Sequence, residues 1–172
     1  MLDEVLFQQH GSRCRMWIPP EEKDPVIFHA PTRKKVGYFG AVRICDGRFL
    51  FQREENCFNA QTFFRFLKNL YRVSKKRERH IYIVLDNARY HHAKLHKPWR
   101  DIWAENFTLL FLPPYSPDMN TSERIWKYTR RSSIHNRYFK TLNDLNTSSP
   151  FGVKFFREMA FELMFWDVAK KM

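Results

Sequence analysis

The apolar residues Phe63, Phe66, Leu67, Leu70 and Tyr71 recur at spacings of three and four, which predicts an α-helix with one buried face, capped by Asn59. The chain ahead of it reads differently. Val5 to Gln9 is short and apolar and predicts a strand directly after Asp3, and Arg15 to Ile18 predicts a strand returning antiparallel to it. Pro19 to Pro31 is a loop rich in proline and charge. Val36 to Cys45 predicts another strand, Asp46-Gly47 a hairpin turn, and Arg48 to Gln52 the partner strand.

Beyond the helix, His80 to Leu85 is a nearly unbroken apolar run, the pattern of a parallel strand buried on both faces, and it ends in Asp86-Asn87. Ala93 to Glu105 predicts a helix and Phe107 to Leu112 a second buried strand. The turn segment Pro113 to Asp118 leads to a helix starting near Asn120. After Pro150 a helical stripe of Phe156, Met159, Ala160, Leu163 and Met164 is expected to pack on the sheet. Three antiparallel strands followed by alternating helices and strands imply an α/β fold with a ribonuclease-H-like mixed sheet and helices on both faces. Function in such open sheets gathers at strand ends.

Composition narrows the class. A chain of 172 residues suits one domain, and 17% aromatic residues exclude a disordered tail. No run approaches the ~18 apolar residues of a membrane span, and the N-terminus lacks the layout of a signal peptide. The three cysteines, Cys14, Cys45 and Cys57, contain no C-x-x-C pair, which argues for a reducing compartment and against a zinc ribbon. The formal charge of +12 attracts polyanions. It is clustered at Arg33 to Lys35, at Arg72 to Arg79, and from Arg124 to Lys140, where Lys and Arg recur without an acidic residue. One such run is commonly a solvated face; three in a small domain indicate a nucleic-acid surface.

Three acids stand at element ends: Asp3 on the first strand, Asp86 closing the central strand, and Glu123 in the first turn of a later helix. Phosphodiester cleavage with two divalent ions needs such carboxylates, and Mg²⁺ prefers oxygen donors. Each has a structural alternative. Asp86-Asn87 also fits an Asx turn, although a carboxylate following an apolar strand needs a partner. Glu123 also fits a capping box with Asn120, but Lys127 and Arg130 lie within about 40° of it on the same helical face, a basic stripe that a cap does not require. Glu4 competes with Asp3, because strand alternation lets only one of the two face the site. His92 and His96 are spaced i, i+4 without a third ligand and predict an exposed helix face rather than a zinc site. Asn87 and His91 lie near the site without an assigned role.

The stretch Leu85 to Ala93, followed by Leu109 to Tyr128 with its Pro-Pro-Tyr-Ser-Pro and Glu-Arg-x-Trp elements, closely resembles the mariner superfamily of transposases, in its bacterial insertion-sequence branch. Leu2 to Pro20 is similar to that family's first catalytic strand and the Trp-containing strand after it. The resemblance runs from about Leu2 to Leu145. It implies metal-dependent strand cleavage and strand transfer at transposon ends by an acidic triad, and it selects Asp3 over Glu4, giving Asp3, Asp86 and Glu123 as catalytic and metal-holding residues. It also implies two Mg²⁺ or Mn²⁺ ions, double-stranded DNA as partner (transposon ends and target), no membrane, a homodimer in the synaptic complex, and a bacterial cytoplasmic, nucleoid-associated location. Arg124, Lys127, Arg130 and Arg131 are the expected DNA-binding residues near the site. Thr121 and Ser122 stand where the family often has Pro and an apolar residue.

The expected layout is a catalytic domain over 1–145 and a helical segment over 146–172 packing on it. Only Met1 and Leu2 precede Asp3, so the first strand is expected to lack its N-terminal half, and no helix-turn-helix for end recognition lies upstream. That pattern predicts a truncated transposase. Two other readings stay open: a non-catalytic DNA-binding remnant, and a ribonuclease-H-type hydrolase of RNA–DNA hybrids.

Overall fold

The structure, a computed structural model, describes residues 1–10, 12–15, 20, 26, 28, 31–55, 57–75, 79–114 and 120–148. Strands β1 (Leu2–Gln8), β2 (Lys35–Val42) and β3 (Phe49–Glu54) form an antiparallel sheet in that order. Asp3 is on the first strand as expected, opposite Gly40, and that strand begins at Leu2 rather than at Val5. The Met1 carbonyl accepts the Val42 N–H at 2.8 Å, so backbone pairing continues on both sides of Asp3. Strand β2 stops at Val42 instead of Cys45, because Arg43 N–H bonds Arg48 O and closes the hairpin. Gly47 takes a φ of 67°, a left-handed conformation that costs glycine little, and Asp46 accepts from the Arg43 guanidinium and the Arg48 N–H.

Helix α1 (Ala60–Ser74) begins with the expected cap, in which Asn59 and Thr62 exchange side-chain and backbone hydrogen bonds. Its buried residues are Phe63, Phe66, Leu67, Leu70 and Tyr71, the face its periodicity foretold. Strands β4 (Ile81–Leu85) and β5 (Phe107–Phe111) pair in parallel. The single helix expected over Ala93 to Glu105 is absent. Two 3₁₀ turns, Arg89–His92 and Lys94–His96, precede a short α2 (Lys97–Ile102). Pro98 explains this break, since a residue without an N–H is tolerated only in a first helical turn. Helices α3 (Thr121–Ser133) and α4 (Leu142–Ser148) follow. The return strand expected at Arg15 to Ile18, most of the Pro113 to Asp118 turn and the stripe after Pro150 lie outside the described residues.

The α/β architecture matches the expectation, with its sheet in two parts: among the described residues no ladder joins β4 to β1, although the two lie side by side. Helices cover both faces of β1–β3. On one face Val5, Phe7, Val36, Tyr38 and Val42 pack against Ile125 and Trp126 of α3 and Leu145 of α4. On the other, Leu2, Phe39 and Ala41 join α1, Ile83 and Leu85 of β4, and Phe107 of β5. Alternation along β1 thus sends Asp3 toward α3 and Glu4 toward α1.

Gly40 fixes how closely α3 approaches. A Cβ there would lie 2.4 Å from Trp126 Cζ2 and 2.7 Å from Phe49 Cζ, so the indole occupies the space a side chain would take. Trp126 is one helical turn from Glu123, and its seat on Gly40, the residue paired with Asp3, brings the two acids to the same place. Gly40→Ala is expected to destabilise the chain by about 1–3 kcal/mol, the usual range for overpacking a filled core. Urea unfolding checks this; an unchanged midpoint would show that Trp126 yields freely.

Candidate active site

Asp3, Glu4 and Val5 of β1 and Glu123, Trp126, Lys127 and Arg130 of α3 line an open cleft of about 220 Å³. Asp3 enters from the sheet and Glu123 from the first turn of α3. Asn120 caps that helix through the Ser122 N–H, and no bond joins Glu123 to the Asn120 N–H. The capping-box alternative for Glu123 is therefore not realised. Its carboxylate instead lies 3.4 Å from Lys127 Nζ, and the Arg130 guanidinium stands over the Phe7 ring at 5.8 Å. Arg124 and Arg131 are exposed on α3 but outside the cleft lining.

Asp86 lies just past the end of β4, half exposed, and is not among the lining residues. It reaches the cleft through a neighbour. His91, buried in the 3₁₀ turn, has Nδ1 3.0 Å from Asp86 Oδ1 and Nε2 2.9 Å from Glu4 Oε1. Asp86 Oδ1 also accepts the Ala88 N–H at 3.0 Å, so the Asx turn and the His91 contact share one oxygen. Tyr90 lies nearby, and burial first, then the charges of Glu4 and Asp86, hold its hydroxyl above its ordinary value. Strand alternation let only one of Asp3 and Glu4 face the site, yet both residues line the cleft. Each faces its own side of β1, and both are engaged.

The histidines depart from the sequence reading. His92 and His96 do not share an exposed face: His92 stacks on Phe111 at 4.1 Å, while His96 is fully buried with Nε2 on Tyr90 O. Glu4, Asp86 and His91 bring ligand-type atoms within 4.8 Å of one another. The sequence offered Glu4 only as a rival of Asp3 and gave His91 no assigned role. The one available signal was the short distance in sequence from His91 to Asp86.

Electrostatics tie the acids together. Burial, the Glu4 charge, and more weakly Asp86 and Glu123 push the Asp3 carboxyl up to about 7, against a Glu4 N–H bond that lowers it. Asp86 is held below the usual range, chiefly by its hydrogen bond from His91. Burial lowers the His91 value, but its bonds to Asp86 and Glu4 outweigh that and raise it to about 9. Asp3 and Glu123 share the cleft and Asp86 lies outside its lining; carboxylate oxygens of this kind suit hard divalent cations such as Mg²⁺ or Mn²⁺.

A raised carboxyl value means the folded state holds its proton longer than the unfolded chain. Stability is then complete below about pH 4 and is lost as pH rises toward 7. In metal-free buffer Asp3→Asn should raise stability at pH 8 by roughly 2–4 kcal/mol and leave it nearly unchanged at pH 4. Thermal unfolding with chelator at the two pH values measures this; an equal gain at both would assign the effect to packing instead of charge.

Comparison with known proteins places this geometry. Residues 1–146 match a family model described as DDE superfamily endonuclease. An uncharacterised protein of Sinorhizobium fredii, y4pE/y4sA, is 39% identical over 69 residues, covering 40% of this chain and 47% of that protein. Among solved structures, the Mos1 mariner paired-end complex with Mn aligns with a TM-score of 0.68 at 15% identity, over 95% of this chain and 50% of that one. The Mos1 transposase paired-end complex with the left transposon end gives 0.64 at 16% identity, over 95% and 51%. The catalytic domain of Mos1 mariner transposase gives 0.51 at 18%, over 76% and 70%. The chain spans about half the length of y4pE/y4sA and of the Mos1 chains in the paired-end complexes. At such identities the structural likeness is one of fold, and it agrees with the ribonuclease-H-like arrangement. The match over residues 1–146 establishes that the chain belongs to the DDE superfamily of endonucleases.

Proposed function

We propose that this chain is the catalytic domain of a transposase, cutting DNA at transposon ends and transferring the strands to a target. The observation that carries the reading is the meeting of Asp3 from β1 and Glu123 from α3 in one cleft, electrostatically coupled to Asp86, beside Lys127 and Arg130. Family membership supports it, as do Mos1 complexes that hold paired transposon ends with Mn or Mg and one described as a strand transfer complex. Residues 1–145 would act as one catalytic unit, with 146–172 as an appended segment, and two such units would pair around DNA in a synaptic complex. The bacterial insertion-sequence branch is the resemblance carried furthest by the sequence elements around Asp86 and Glu123.

Asp3, Asp86 and Glu123 would hold two Mg²⁺ or Mn²⁺ ions, which supply activation of the attacking oxygen and stabilisation of the leaving one. The chain's own residues do the rest. Asp86 presents Oδ2, which has no partner among the described residues, while Oδ1 is held by Ala88 and His91. Lys127 and Arg130 meet phosphates at the cleft, and Arg124 and Arg131 extend the basic surface along α3. A net charge of +12 draws the duplex in without reading its sequence. No helix among the described residues is long and apolar enough to cross a membrane.

Asp86→Asn and Glu123→Gln should each abolish metal-dependent nicking of supercoiled plasmid while leaving duplex binding nearly intact, because they keep shape and remove charge. Nicking at the parent's rate by either variant would refute the assignment. A parent chain that binds duplex but never nicks with Mg²⁺ or Mn²⁺ would favour the non-catalytic remnant. Replacing Lys127 and Arg130 with Ala should lower the slope of log affinity on log salt by about two, one for each phosphate contact. An unchanged slope would remove α3 from the DNA path.

A further inference from the structure

Both nitrogens of the buried His91 ring face carboxylate oxygens, Glu4 Oε1 at 2.9 Å and Asp86 Oδ1 at 3.0 Å. Its Nδ1 also lies 3.1 Å from the Asp86 backbone oxygen. The ring cannot turn away, because it packs against Phe63 at 4.4 Å and Tyr90 at 4.5 Å between centroids. Glu4 is equally committed, its side chain almost fully buried and bonded to His91. These are hydrogen-bond distances, and each ring nitrogen spends on a carboxylate the position that a metal would need. Asp86, by contrast, is only half covered. One oxygen accepts from Ala88 and His91, and the other has no partner among the described residues.

We propose that Glu4 and His91 are positioning residues for the metal site: Glu4 fixes the His91 ring, and His91 fixes Asp86 so that Oδ2 is presented to the cation. This rests on the assignment of Asp86 as a metal-holding carboxylate. The adjacency of Asp3 and Glu4 then has a function. One strand delivers a carboxylate to the cleft on its α3 face and braces a second carboxylate through its α1 face. Partners that orient a liganding group are commonly worth ten- to a hundredfold in metal affinity. A free carboxylate at the end of a strand would otherwise sample several rotamers and lose part of its binding free energy in being ordered.

The test is Mn²⁺ affinity of the full chain, from the free-Mn²⁺ electron paramagnetic resonance signal, for the parent, Glu4→Gln, His91→Gln, Asp86→Asn and the Glu4→Gln/Asp86→Asn pair. Thermal unfolding confirms folding, and Glu4→Gln, which retains shape, decides the matter if His91→Gln does not fold. The expected result is about a tenfold loss for Glu4→Gln and His91→Gln, a larger loss for Asp86→Asn, and no further loss when Glu4→Gln is added to Asp86→Asn. Unchanged affinity in Glu4→Gln and His91→Gln, with a loss in Asp86→Asn, overturns the positioning role alone. Additive losses in the pair overturn it too, because Glu4 would then act on the ion without Asp86. If Asp86→Asn itself binds Mn²⁺ like the parent, the metal-site assignment fails first and takes this proposal with it.

Discussion

The site depends on the seating of Trp126 in the space left by the missing side chain of Gly40. Aromatic rings bury more area than any other side chain, so one indole laid on a bare strand position can dock a helix at a single distance and rotation. Phe7 and Phe49 close around it at 6.3 and 5.5 Å, which leaves it little freedom to slide. Everything on the first turn of α3 is carried along. Glu123 arrives beside Asp3, and Lys127 and Arg130 become the far wall of the cleft. The electrostatics of the site are therefore set by an apolar contact.

The second constraint is the two-residue period of β1. Asp3 and Glu4 are both acids in the same strand, yet the pleat points one to each face. On the α3 face Asp3 shares the cleft with Glu123, and burial, with the like charge of Glu4 next, makes its ionisation costly. On the α1 face Glu4 meets a buried histidine and becomes part of a hydrogen-bonded core element. The same side-chain chemistry is strained in one place and satisfied in the other. Under the proposed function a cation would relieve the first without disturbing the second, so a binding site and a stable core could share one strand.

The basic character of the chain answers a different requirement. Converging acids repel a phosphate backbone, so a site that holds metal and acts on DNA needs positive charge close by. Under the proposed function helix α3 would meet that need at the spacing of its own turns: Lys127 is one turn from Glu123 and Arg130 nearly two, on the same face. The Lys127 contact with Glu123 is exposed, so it contributes little to stability, and its value lies in where it leaves the ammonium group.

Much of this was legible in the chain because it is encoded by local period. The helical face of α1, the Asn59 cap, the hairpin at Asp46-Gly47, the two apolar parallel strands and the start of α3 at Asn120 all follow from neighbours within one or two turns. Asp86 and Glu123 stood out as candidates for the same reason, as polar residues at the ends of apolar elements, whereas only the family resemblance separated Asp3 from Glu4. What the sequence left open depends on partners far along the chain. The break at Pro98 was readable, since proline fits only a first helical turn, yet the expected helix ran through it from Ala93 to Glu105. The burial of His91 and His96 was not readable, because a polar ring enters a core only where acceptors such as Glu4 Oε1 and Tyr90 O arrive to satisfy it. Gly40 is a small residue in a strand until Trp126 lands on it. Periodicity states which face of an element is apolar; which distant side chain completes that face, and so which acid becomes the strained one, is decided only when the elements pack.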